Sequence, residues 1–195
     1  MNLIIGFLLL AIPAFFTPGP NNLMLMTSTA KFGMKKTIPH AVGIFIGFPL
    51  MVFFVGLGFG EIFNLYPVLK TIMKYLAAAY FLYMAYNLLG IKIGDVGAAE
   101  RPMKLYEAAL FQWINPKAWA MAVSFVGAFV VFGEGRFISL LFLTLGCFFM
   151  SPLSTITWMV FGKQLQILLK KTSMERFLGI ILAILMVGAV ILFLV

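Results

Sequence analysis

LIIGFLLLAIPAFFTPGPNNLMLMTSTA, residues 3–30, is long and apolar enough to cross a bilayer, yet Pro18 and Pro20 flank Gly19 inside it. An α-helix rises about 1.5 Å per residue, so roughly 20 residues span a hydrocarbon core of about 30 Å. Proline has no N–H and its ring presses on the preceding turn, so one unbroken helix is not expected here. The stretch therefore reads as a single membrane span built from two half-helices. Pro20 suits the first position of the second half, which leaves unpaired N–H groups and the positive end of a helix dipole beside Asn21 and Asn22. In lipid such groups are tolerated only where something polar meets them. The plainer reading is a proline kink satisfied by neighbouring helices, with the asparagines as interhelical glue.

The same solvent governs the rest of the chain. Of 195 residues 63% are apolar and 10% charged, with a mean hydropathy of +1.09, too little polar surface for a water-soluble domain. The expected fold is all-α: one polytopic membrane domain, 1–195, with six transmembrane helices. Their spans are Leu3 to Ala30, Pro39 to Gly60, Pro67 to Leu89, Glu107 to Phe132, Phe137 to Gly162 and Met174 to Val195. The first apolar run has no basic segment before it and continues into more membrane-like sequence, so it reads as a retained span rather than a signal peptide.

The net charge of +8 sits in short clusters between spans, which points to a bilayer and away from nucleic acid. The first, third and fifth loops hold ten Lys and Arg residues, against three in and beside the second and fourth. That bias places the basic loops in the cytoplasm and both termini outside a cytoplasmic membrane. Lys117 belongs to no loop. The lone Cys147 allows no disulfide framework, and nothing in the sequence decides between monomer and homo-oligomer.

Two halves, about 1–95 and 100–195, also echo each other. A shift of 96 positions sets Phe15 on Phe111 and Pro20 on Pro116; a shift of 103 sets Gly43 on Gly146 and Pro49 on Pro152. Three spans is an odd number, so the second copy of such a unit must be inverted in the membrane. The match predicts a second break at Asn115-Pro116-Lys117, with Asn115 as helix N-cap and Pro116 as first helical residue. Lys117 at that depth costs roughly 2.5–3.5 kcal/mol on insertion scales, which asks for a function or a buried partner; the alternative is a lysine that snorkels to the interface. Counting rise per residue puts both breaks about 12–13 Å from the cytoplasmic ends of their spans.

Two helix N-termini and one ammonium suit a carboxylate, while the side-chain carbonyls of Asn21, Asn22 and Asn115 suit an ammonium. The predicted substrate site is thus Pro18, Gly19, Pro20, Asn21 and Asn22 on one wall and Asn115, Pro116 and Lys117 on the other, shaped for an amino-acid zwitterion or another small anion. Tyr83 with Asn87, and Ser151 with Thr155, share helical faces that could line a pore, or bond back to their own helices. Gly43 and Gly47 read as close helix packing. His40, after Pro39 and three lysines, reads first as a solvated interfacial residue and second as a proton relay. Every acidic residue lies in or next to a loop, and there is no metal-ligand cluster, cofactor motif or nucleophile–base pair, so an enzyme is disfavoured.

Pro18-Gly-Pro-Asn-Asn22, His40-x-x-Gly-x-x-x-Gly47 and Gln112-Trp-Ile-Asn-Pro-Lys-Ala-Trp119 together resemble the LysE/RhtB family of amino-acid exporters, over nearly the whole chain. The last motif looks nearest the cysteine and O-acetylserine exporter branch. The resemblance implies a cytoplasmic-membrane efflux carrier for amino acids or their derivatives, driven by the proton gradient. Many members carry an acid directly after the second glycine of span two, where this chain has Phe48; coupling would then fall to His40 or Lys117. A channel or passive facilitator for small polar solutes, and a non-transporting membrane protein, are the competing readings.

Overall fold

The computed structural model describes residues 3–58, 101–131 and 133–172, with scattered positions between 65 and 86 and between 180 and 188. Six helices are continuous there: α1 (Leu3–Phe16), α2 (Pro20–Phe32), α3 (Met34–Gly56), α4 (Leu105–Phe111), α5 (Pro116–Phe129) and α6 (Arg136–Thr172). Among the described residues there is no strand. Met34–Gly56 and Arg136–Ile167 are each long and apolar enough to cross a membrane, and α1 with α2, bent by 50° at their break, makes a third such span. The expected third and sixth spans fall mostly outside the described residues.

Outward-facing Leu9, Ile12, Leu145, Phe149 and Ile156 are all exposed. A continuous apolar exterior of this kind is untenable in water and is what lipid requires.

Three sequence expectations are corrected. The first basic loop shrinks to Gly33, whose φ of 85° lies in the left-handed region that glycine tolerates; α3 begins five residues before Pro39. His40 is consequently not a solvated interfacial residue but is buried inside α3, 2% exposed. The fifth loop also recedes, because α6 runs ten residues past Gly162; amphipathic residues such as Lys163 end the apolar stretch without ending the helix. Finally, the second half of the first span continues past Ala30 to Phe32. With α1 of 14 residues and α2 of 13, each half is about 20 Å long.

Helix α6 is the axis of the bundle. Its glycines let α1 and α2 run alongside it in the same direction: Gly146 faces the Phe7 ring, and Gly162 faces Met26 and Thr29. Helix α3 runs the opposite way, with Gly56 against Leu140 and the rings of Phe45 and Phe148 5.5 Å apart. Gly43 and Gly47 seat α4 on α3 by backbone approach to Leu105 and Ala109, as small-residue packing in membranes does. Helix α5 is antiparallel to α1, since Phe7 meets Phe125 and Phe129 while Lys117 reaches Thr17.

The bundle therefore has a basic end, carrying Lys31, Lys35, Lys36, Arg101, Lys104 and Lys163. At the opposite end the described basic residue is Arg136, which donates to the Gly56 carbonyl at 2.6 and 3.1 Å.

At the basic end Glu107, in the first turn of α4, accepts two hydrogen bonds from Arg101, at 2.6 and 2.8 Å, and one from the Lys104 N–H at 2.8 Å. The Arg101 hydrogen bonds, then that N–H, hold its carboxyl at about 2, below the ordinary 4.5. A depressed carboxylate stabilises the fold above its unfolded value and stops doing so as pH falls through its folded one. The melting-temperature difference between wild type and Glu107→Gln is therefore expected to be small at pH 7 and to vanish between about pH 4.5 and 2; a scanning-fluorimetry pH series checks it.

Candidate functional site

The first break is a matter of missing donors. Pro18 and Pro20 cannot donate to Ala14 and Phe16 four residues earlier, so α1 ends at Phe16 and its last carbonyls need other partners. Thr17 closes the end locally, its N–H and hydroxyl both reaching the Pro13 carbonyl at 2.9 and 2.7 Å. Asn22 folds back to donate to the Phe15 and Thr17 carbonyls, each at 2.9 Å, and Ser154 of α6 donates to Phe15 at 2.7 Å. Helix α2 then starts on extended Gly19 with Pro20 in its first turn and no side-chain cap.

The second break forms as local chemistry dictates. Three turn residues, 112–114, follow α4; Asn115 then caps α5, its side-chain oxygen accepting from the Lys117 N–H at 3.1 Å, and Pro116 follows as the first helical residue.

The two breaks meet. The half-buried Lys117 ammonium donates to the Thr17 carbonyl at 2.8 Å and lies 3.0 Å from its hydroxyl. It does not snorkel: it sits on the carbonyl end of α1, where the helix dipole favours a cation. An ammonium has three donors, so one remains. Below it the Asn21 amide donates to Gln112 at 2.7 Å, and Gln112 also donates to the Ala108 carbonyl at 2.8 Å.

Around this junction lies a small, partly open pocket of about 40 Å³. Its polar wall is Asn21, Asn22, Asn115, Lys117, Ser151, Ser154 and Thr155; its apolar wall includes Ala14, Phe15, Ile44, Phe48 and Met121. The structure thus brings together Gly19, Asn21, Asn22, Asn115, Lys117, Ser151 and Thr155 from the sequence-predicted set. Pro18, Pro20 and Pro116 shape the breaks without lining the pocket. His40 lies one turn from Ile44 on the same face of α3. Tyr83 is 58% exposed and away from the pocket, and Asn87 lies outside the described residues.

Sequence reading missed Gln112, Ser154 and the Thr17 carbonyl as parts of the junction. Gln112 carried a usable signal, a polar side chain three residues before a predicted helix break inside a membrane span. Ser154 had only its helical spacing from Ser151, and nothing in the sequence pairs a main-chain carbonyl with a lysine 100 residues away.

Gly19 is where Lys117 passes. A Cβ there would lie 2.5 Å from the lysine Cδ and 2.9 Å from Nζ. Gly19→Ala is therefore expected to displace the ammonium from Thr17 while the protein still folds, because the obstructed group is a flexible chain end; an experimental structure of the variant checks it.

The LysE type translocator family model matches residues 12–195. A leucine efflux protein of Enterobacter sp. (strain 638) is 31% identical over 136 residues, 65% of this chain and 64% of the relative. Leucine efflux proteins of Salmonella typhimurium strain LT2 and Klebsiella pneumoniae are 31% and 30% identical over 126 residues, 62% of this chain and 59% of each relative. The chain thus spans roughly three fifths of the length of these relatives. No solved structure matches it. With two broken helices meeting at the lysine of an Asn-Pro-Lys motif and a family match running from residue 12 to the last residue, the chain belongs to the LysE-type translocator family.

Proposed function

We propose that the protein is a secondary carrier that exports neutral amino acids of the leucine type from the cytoplasm by alternating access. The observation that carries this reading is the Lys117 ammonium, held 2.8 Å from the Thr17 carbonyl beside a pocket with one amide-rich wall and one apolar wall. Its remaining donor suits the solute's carboxylate, the oxygens of Asn21, Asn115 and Ser151 suit the α-ammonium, and Phe15, Ile44, Phe48 and Met121 suit an aliphatic side chain. The name borne by the relatives, leucine efflux protein, points the same way, and not to the cysteine and O-acetylserine branch that one motif resembles.

In this reading the chain crosses the cytoplasmic membrane six times as two inverted three-helix halves that rock about the pocket. The basic end faces the cytoplasm and both termini lie outside. None of the residues lining the pocket is a carboxylate, so a proton, if it drives export, is handled by His40 or Lys117.

The test uses proteoliposomes loaded with radiolabelled leucine, alanine, serine or lysine, with and without an inward proton gradient. Leucine efflux that saturates, shows counterflow and is steepened by the gradient is the expected result. Non-saturating flux without counterflow would assign the passive facilitator instead, and no flux of any solute would leave a non-transporting protein.

A further inference from the structure

Two stripes of side chains carry the pocket further into the bundle. On α3, Ile44 and Phe48 line it, and the residue one turn earlier on that face is His40. On α6, Ser151, Ser154 and Thr155 line it, and the next residue on that face is Trp158. The antiparallel contacts Phe45–Phe148 and Gly56–Leu140 set His40 opposite residues 153–156 of α6, so Trp158 lies about 3–8 Å further along the axis toward the basic end.

Among the described residues three buried polar atoms there have no hydrogen-bond partner: Ser151 Oγ in the pocket, and His40 Nδ1 and Trp158 Nε1 beyond it. All three residues are more than nine-tenths buried. An unpaired polar atom at such burial is costly unless a solute or solvent partner visits it. Closer to the basic end, Ser28 and Thr37 form a further buried polar pair, 3.2 Å apart.

The opposite side of the pocket is sealed. Phe15, Phe48 and Phe125 form a triad with centroids 5.3, 6.0 and 6.5 Å apart. Behind it the packing of Met51, Val52, Leu140, Leu143 and Cys147 is apolar and fully buried. The hydroxyl nearest that packing, on Thr144, is satisfied by the Leu140 carbonyl at 2.8 Å.

From this asymmetry the geometry points to a solute path that leaves the pocket toward the basic end past His40 and Trp158, with the phenylalanine triad as the closed gate on the other side. The inference rests on the carrier reading and deepens it by naming the polar half of the route, which is as closely packed as the other but carries the unpaired polar atoms. Ser151, His40 and Trp158 are the successive polar stations of that route, and solute exchanges hydrogen bonds along them where lipid-depth backbone offers none.

Single cysteines at His40, Trp158, Ser151 and Met51, probed with a quaternary-ammonium methanethiosulfonate in oriented vesicles, test it. Native Cys147, sealed behind the triad, is the unlabelled control. His40→Cys or Trp158→Cys is expected to label only from the face bearing Lys31, Lys35 and Lys36, at least tenfold faster than Met51→Cys. Ser151→Cys is expected to label from that face too and to be slowed several-fold by leucine. Labelling of Met51→Cys as fast as His40→Cys, or no labelling of both His40→Cys and Trp158→Cys from that face, would overturn the path. The labelling pattern needs no transport, so a wild type that moves no amino acid defeats the carrier reading separately.

Discussion

Lys117→Ala is expected to reduce leucine counterflow by at least about tenfold, while the protein still inserts and purifies as a single species. A hydrogen bond to a charged group contributes about 1.5–3 kcal/mol, equivalent to about ten- to one-hundred-fold in affinity. In the proposed mode the solute's carboxylate would lose its cation, and the Thr17 carbonyl loses its donor at 2.8 Å, which loosens the contact between the two breaks. Lys117→Arg should not restore the rate, because the space beside Gly19 is already filled by the lysine chain and a planar guanidinium needs more. Counterflow in proteoliposomes, normalised to inserted protein, is the measurement; an unaltered rate for Lys117→Ala would remove the lysine from the site.

The second large effect is structural. Gly47→Leu is expected to abolish assembly of the bundle, because even a Cβ at Gly47 would lie 2.6 Å from the Ala109 Cα. That neighbour is backbone, which cannot swing aside as a side-chain tip does. Overpacking usually costs about 1–3 kcal/mol, and more where backbone must part. Separating α4 from α3 would also carry Gln112 and Asn115 away from the first break, since both follow directly from α4. Gly47→Ala should give the same defect in milder form, read as a lower melting temperature and an aggregated fraction in size-exclusion chromatography. Equal melting temperatures for wild type and Gly47→Ala would mean that α3 and α4 are not packed this closely.

Features whose causes are local were legible in the sequence. Proline chemistry announced both breaks, and Asn115 with Pro116 announced the start of α5 to the residue, because capping needs nothing beyond three or four neighbours. Pro20 and Pro116, aligned by the repeat, both occupy the first turn of a helix. The meeting of the breaks depended on tertiary packing and was only half visible: Lys117 lies, as expected, beside the N-termini of α5 and α2, but its ammonium bonds the carbonyl end of α1. Its partner is a main-chain oxygen, which carries no residue-type signal.

Errors in boundaries had a common origin. Spans were ended where the apolar run stopped, and lysines that stop an apolar run do not end a helix whose surface their stems follow. Lys35 and Lys36 therefore hid the start of α3 at Met34, and with it the burial of His40. Lys163 hid the continuation of α6 in the same way. Phe48 shows the converse case. Its departure from the family's acidic position was plain in the sequence, but its place in a three-ring cluster with Phe15 and Phe125 needed α1, α3 and α5 together.

An experimental structure of the wild-type protein with leucine bound would weigh the site itself. The carboxylate is expected within hydrogen-bond distance of Lys117 Nζ, the ammonium against Asn21, Asn115 or Ser151, and the isobutyl group against Phe15 and Phe48. Leucine density elsewhere in the bundle, with the Lys117 ammonium still fully engaged by Thr17, would contradict the assignment.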